Sequence, residues 1–147
     1  MPNVEQLLTQ EEEQQIIDAI IIAEKLTSGE IRVHLENHTE KDTLERASEV
    51  FSYLKMDETK EHNGVLFYLG VQDKQFAIIG DTGINKKVTT DFWNSTKDIV
   101  LTEFKKGNFA NGLIKGIKEA GEQLQHYFPI NGKDTNELDN SISKGKF

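Results

Sequence analysis

The chain has 147 residues, no cysteine and a formal net charge of −8, with a pI near 5.0. The missing cysteines exclude disulfides, thiolate metal sites and thiol nucleophiles, and the acidity works against nucleic acid, whose affinity for proteins comes largely from Lys and Arg neutralising phosphates. The length suits one domain, and the first residues lack a basic, apolar leader while no run of about 18 apolar residues occurs, so a cytoplasmic protein without a membrane span is expected.

Thr9 and Glu12 have capping-box spacing, and Glu11 to Glu13 fall in a first helical turn, where the helix dipole favours negative charge. A helix is therefore predicted from near Gln10, with Ile16, Ile17, Ile20, Ala23 and Leu26 on its apolar side and Thr27-Ser28-Gly29 closing it. From Glu30 to Glu36 apolar and polar residues alternate, which predicts a half-exposed strand with Ile31, Val33 and Leu35 inward and Glu30, Arg32, His34 and Glu36 on a solvated face. His34 is accordingly expected at the surface. Leu44, Ala47, Val50, Phe51, Leu54 and Met56 give a second amphipathic helix.

Two continuous apolar runs follow, Val65 to Leu69 and Phe76 to Ile79, of the kind found in strands covered on both faces. The short polar link Gln72-Asp73-Lys74 cannot hold a parallel crossover, so the two runs should pair as an antiparallel hairpin at the centre of a small mixed sheet. Val88, Phe92, Thr96, Ile99, Val100 and Phe104 predict a third helix ending at Gly107, and Phe109 to Tyr127 a fourth, with Gly112, Gly116 and Ala120 forming a flat stripe for close packing. Together these elements predict a three-layer α/β/α sandwich, Rossmann-like, over residues 1–128, followed by a polar tail over 129–147.

The hairpin has a consequence for function. Asn63 begins one strand and Asp81 follows the other, so the two should meet at one edge of the sheet, where Thr27-Ser28-Gly29 can join them. Asn63, Asp81, Thr82 and Asp91 offer the oxygen donors that calcium or magnesium prefers, and the backbone amides of Gly80 to Gly83 could hold an anion. The same residues are also ordinary turn formers, with Asp81 bonding backbone amides, and both readings stand at this point. His62 beside Glu61 is read as an incidental surface histidine.

Thr27-Ser28-Gly29-Glu30-Ile31-Arg32-Val33, Asn63-Gly64-Val65-Leu66-Phe67, Gly80-Asp81-Thr82-Gly83-Ile84, Asp91 and the stretch Phe104 to Gly112 resemble the TPM domain family, also called the Psb32 or thylakoid-lumen phosphatase-like family. The resemblance runs from about Leu8 to Tyr127 and is nearest to a small stand-alone bacterial branch, whose tail phrase is matched by Asn136-Glu137-Leu138 and Ile142-Ser143. The family's acidic residue before the Asn-Gly pair is His62 here, its N-terminal acidic motif has no counterpart in Met1 to Thr9, and its Gly-x-Gly-Leu-Glu-Gly loop becomes Gly80-Asp81-Thr82-Gly83-Ile84-Asn85-Lys86.

The resemblance implies a phosphatase acting on phosphomonoesters with calcium or magnesium and no organic cofactor. In that reading Asp81 and Asn63 are catalytic, Asp81, Asp91 and Asn63 hold the metal, and Gly80, Thr82 and Gly83 hold the phosphate. It equally implies a non-catalytic module for membrane-protein maintenance. A small phosphoester or a protein is the expected partner, with a monomer favoured.

Overall fold

Local capping chemistry starts the helices in the computed structural model, which describes residues 3–130 and 138–145. Asn3 and Gln6 form a capping box that opens α1 (Val4–Leu7), and Thr9 and Glu12 form the second, opening α2 (Gln10–Glu24). Both boxes share the same polar-x-x-Glu/Gln signature, so the first is as legible as the second. Asp42 caps α3 (Thr43–Tyr53) by accepting from the Leu44 and Glu45 amides. The expected continuation to Met56 is broken at Lys55, whose φ of 58° puts Met56 into a short 3-10 turn instead.

The sheet contains β1 (Glu30–Glu36), β2 (Gly64–Gly70), β3 (Gln75–Gly80) and β4 (Ser143–Lys144), in the order β3-β2-β1-β4. β1 runs parallel to β2 and β4, and β2 pairs antiparallel with β3, so the sheet is mixed and the predicted hairpin forms. The hairpin is not wholly central, because β3 closes one edge and the interior pair is β1 and β2. Helix α2, with α5 (Asn94–Lys105) and α6 (Phe109–Tyr127), packs on one face around Ile20, Val33, Leu35, Phe67, Val100, Leu113 and Ile117. Helix α3 covers the other face around Val50, Phe51, Met56, Leu66, Tyr68 and Ala77. This is the three-layer arrangement that the pattern of elements predicts. No helix among the described residues is long and apolar enough to cross a membrane.

The alternating face of β1 is a correction to the sequence reading. Glu30, His34 and Glu36 are buried, with His34 and Glu36 at 0% exposure, and only Arg32 of the four is partly exposed, so this is not the solvated face expected. Two things cover it. Arg46 reaches from α3 to bind Glu36 bidentately through one edge of its guanidinium, Nε to Oε2 and Nη2 to Oε1 at 2.9 Å each, and Tyr68 donates its hydroxyl to the same carboxylate. The returning C-terminal segment then lays Ser143 against His34, Nδ1 to Oγ 2.9 Å, while the His34 ring stacks on Tyr68. Alternation therefore marks two chemically different buried faces, one apolar and one a paired polar row.

The third helix also differs from its expected span. Short α4 (Thr82–Asn85) follows β3 directly, and α5 begins only at Asn94. Val88 and Phe92, whose spacing suggests helix, instead serve packing: Phe92 meets Trp93 and Tyr127 edge-on at 4.7 and 5.7 Å between ring centroids.

The glycine stripe of α6 does pack closely. A Cβ on Gly112 would lie 2.8 Å from the Phe104 ring, and one on Gly116 would lie 2.4 Å from Val100 Cγ2 and 3.0 Å from Phe67 Cε2. Gly116→Ala is accordingly expected to destabilise the protein by about 1–2 kcal/mol, because overpacking between α5, α6 and the sheet outweighs the helix propensity that alanine adds. Urea unfolding would check this, and a variant at least as stable as the wild type would contradict it.

Candidate functional site

Three loops meet at the end of the sheet where β1 and β2 begin and β3 ends. The hairpin register places Val65 opposite Gly80, and the Asp81 amide donates to the Gly64 carbonyl at 2.9 Å, so Asn63 and Asp81 do converge at one edge. The loop before β1 joins them: Asn63 donates from Nδ2 to Ser28 Oγ at 3.2 Å, and the Glu30 amide donates to the Asn63 carbonyl at 3.3 Å. Gly29 does not adopt positive φ as a helix terminator would. Its value lies in space, since a Cβ there would stand 3.1 Å from Leu124 Cδ1 and 3.4 Å from the Asn63 carbonyl. The end of α6 locks this loop, with Ser28 N and Thr27 Oγ1 both donating to the Phe128 carbonyl at 2.9 and 2.5 Å.

Gly83 is the tightest point. Its amide donates to the His62 carbonyl at 2.8 Å, and a Cβ there would come within 2.3 Å of the Glu61 carbonyl oxygen, so only glycine lets the two loops close. His62 itself takes a φ of 51°, a left-handed conformation uncommon for a non-glycine residue. That backbone turn aims its exposed ring toward Asp81, with Nδ1 3.6 Å from Oδ2. The sequence offers no signal for this conformation, and His62 reads there as incidental.

Asp81 is buried, and its two oxygens differ. Oδ1 accepts from the Thr82 amide at 2.7 Å, as the N-cap of α4, which is the turn role open to an Asp at this position. Oδ2 is buried and has no hydrogen-bond partner among the described residues; the Thr59 hydroxyl, on the loop leading into His62, is in the same condition. The loop amides are already used: Asp81 N goes to Gly64, Thr82 N to Asp81 and Gly83 N to His62. Of the expected anion cradle at Gly80, Thr82 and Gly83, the Thr82 and Gly83 amides are therefore already taken by the protein's own oxygens. Asp91 is exposed in the segment before α5 and accepts from the Thr89 hydroxyl. Among the described residues no group of three or more His, Asp or Glu side chains is placed to hold a metal ion.

The sequence model of the TPM domain matches residues 3–123. Among solved structures, the chain is similar to the BA42 protein of the psychrophilic bacterium Bizionia argentinensis, solved by NMR. The identity is 54%, the coverage 99% of this chain and 100% of that one, and the TM-score 0.92. The N-terminal domain of the cg2496 protein from Corynebacterium glutamicum shares the fold at 11% identity, with 92% and 79% coverage and a TM-score of 0.62. Among curated proteins, none matches the chain.

Proposed function

The chain belongs to the TPM domain family, and on that premise we propose that it is a divalent-cation-dependent hydrolase of phosphomonoesters working at the edge where Asn63 and Asp81 meet. The observation that carries this reading is Asp81 Oδ2, a buried carboxylate oxygen without a hydrogen-bond donor among the described residues. A desolvated anionic oxygen in that condition is costly, and a hard cation is the partner its chemistry suits. Asp81 and the Asn63 side-chain oxygen would hold calcium or magnesium; Asp91, which accepts from Thr89 through Oδ1, would join through its other carboxylate oxygen. Bound there, the cation supplies neutralising charge for a phosphoryl group and a lowered pKa for water. The chain's own part is to fix Asn63 through Ser28, to keep the edge closed at Gly83, and to present His62 beside the carboxylate.

A second reading, a non-catalytic module that binds a protein through the same loop edge, is favoured by the loop amides already bonded to the protein's own oxygens. The two separate in one assay series. Purified protein is expected to hydrolyse p-nitrophenyl phosphate only with calcium or magnesium present, and Asp81→Asn to lower that rate by about 100-fold without a change in melting cooperativity. Activity that survives both chelation and Asp81→Asn removes the cation mechanism. Cation binding without turnover of any phosphomonoester favours the module.

A further inference from the structure

The last described residues form a strap on the open edge of the sheet. Ser143 and Lys144 pair with His34 and Leu35 as β4, and the Gly145 amide, at a residue with φ of 98°, donates to the Leu35 carbonyl at 2.9 Å. The side chains alternate between faces. Ser143 meets His34 on the α3 side, whereas Ile142 packs into the large core and Lys144 forms ion pairs with Glu13 and, at 3.7 Å, Glu5 on the α1/α2 side. The strap is thus read in three positions, each with its own receptor: an apolar slot, the buried His34 nitrogen, and an acidic pair.

The attachment is light. The ladder covers two of the seven β1 residues, and ion pairs whose Glu5 and Glu13 partners are 76% and 26% exposed contribute little. An edge strand held by one short ladder is the usual receptor for an added strand, with backbone bonds giving affinity and alternate pockets giving selectivity.

We propose that the β1 edge beside His34 and Leu35 is a strand-addition site for an extended peptide with the succession apolar residue, hydroxyl residue, lysine, and that Ile142-Ser143-Lys144 occupies it as an internal ligand. The chain's own segment defines the chemistry of the partner. This site is separate from the Asn63–Asp81 edge and does not depend on its activity.

The test uses the full chain. Lys144→Glu places a third carboxylate against Glu13 and Glu5 and weakens the strap in cis; Ser143→Ala does so independently by removing the hydroxyl that meets His34. In both variants the Gly145 amide is expected to exchange with solvent about ten-fold faster than in the wild type while β2 amides keep their protection. A fluorescein-labelled peptide with the sequence of residues 138–147 should then bind each variant about ten-fold more tightly than it binds the wild type, because the internal competitor is less populated. The same peptide with glutamate in place of its Lys144 equivalent should not bind the wild type. Faster exchange at Gly145 without peptide binding overturns the proposal. So does Gly145 exchange that stays tied to global unfolding in both variants, since the strap would then be an inseparable part of the fold.

Discussion

Arg46→Met is expected to destabilise the protein by about 3–5 kcal/mol, read as a lowered urea midpoint at unchanged slope. The size follows from what it leaves behind. Glu36 has 0% exposure and receives two bonds from one edge of the Arg46 guanidinium, itself nearly buried, together with the Tyr68 hydroxyl. Burial alone would push the Glu36 carboxyl up, but the bonds from Arg46 and Tyr68 outweigh it and hold the group below the usual carboxylate range. The bond to Glu36 raises Arg46 in return, and burial beside that carboxylate raises the Tyr68 phenol.

Removing the arginine strands a charge in an apolar layer that cannot solvate it, and protonation then takes the place of pairing. The double variant Glu36→Gln/Arg46→Met should recover at least about half of the loss, because both charges leave together while an acceptor for Tyr68 remains. Single and double variants of equal stability would show that the pair is not coupled as the geometry requires.

His34 gives the second large effect, a dependence of stability on pH above the carboxylate range. Burial lowers it from the ordinary 6.5 to about 4, with Glu36 and a backbone bond at Gly145 favouring the proton and Arg46 and Arg32 opposing it. The folded protein therefore keeps the ring neutral at pH values where the unfolded chain has already taken a proton. Its contribution is complete above pH 6.5 and is lost as the pH falls from there toward about 4, by roughly 3 kcal/mol across the interval. Glu36, Asp73 and Asp139, whose carboxyls lie below their ordinary values, lose their contributions lower on the scale. His34→Gln removes the titration and should flatten the stability profile between pH 6.5 and 4 relative to the wild type. Parallel profiles for the two proteins would contradict a neutral, buried His34.

What could be read in the residues, and what could not, divides along sequence distance. The Thr9 capping box, the α6 stripe and the hairpin rest on neighbours within a few positions or on a three-residue link, and the structure reproduces them. The polar row of β1 depends on Arg46 ten residues away and Ser143 at a separation of 109, so its alternation resembles that of a solvated strand until those partners are in place. Phe92 mimics helical periodicity because its apolar side answers to Tyr127 and not to a helix axis. At the candidate site, the meeting of Asn63 with Asp81 follows from the hairpin alone. The left-handed turn at His62, the Asn63 bond to Ser28 and the internal use of the loop amides are set by tertiary closure, which no local pattern encodes.

The bond from the Thr27 hydroxyl to the Phe128 carbonyl spans 101 residues. In polymer terms it is the knot of a loop that contains every strand up to β3 and every helix from α3 to α6, and closing a loop of that length costs on the order of 4 kcal/mol in chain entropy. Asn63, Asp81 and Gly83 all lie inside that loop, yet the wall against which Asn63 rests is built at its two ends. The edge is thus assembled by the chain as a whole, and a stretch such as residues 27–83, which carries its side chains, does not carry its geometry.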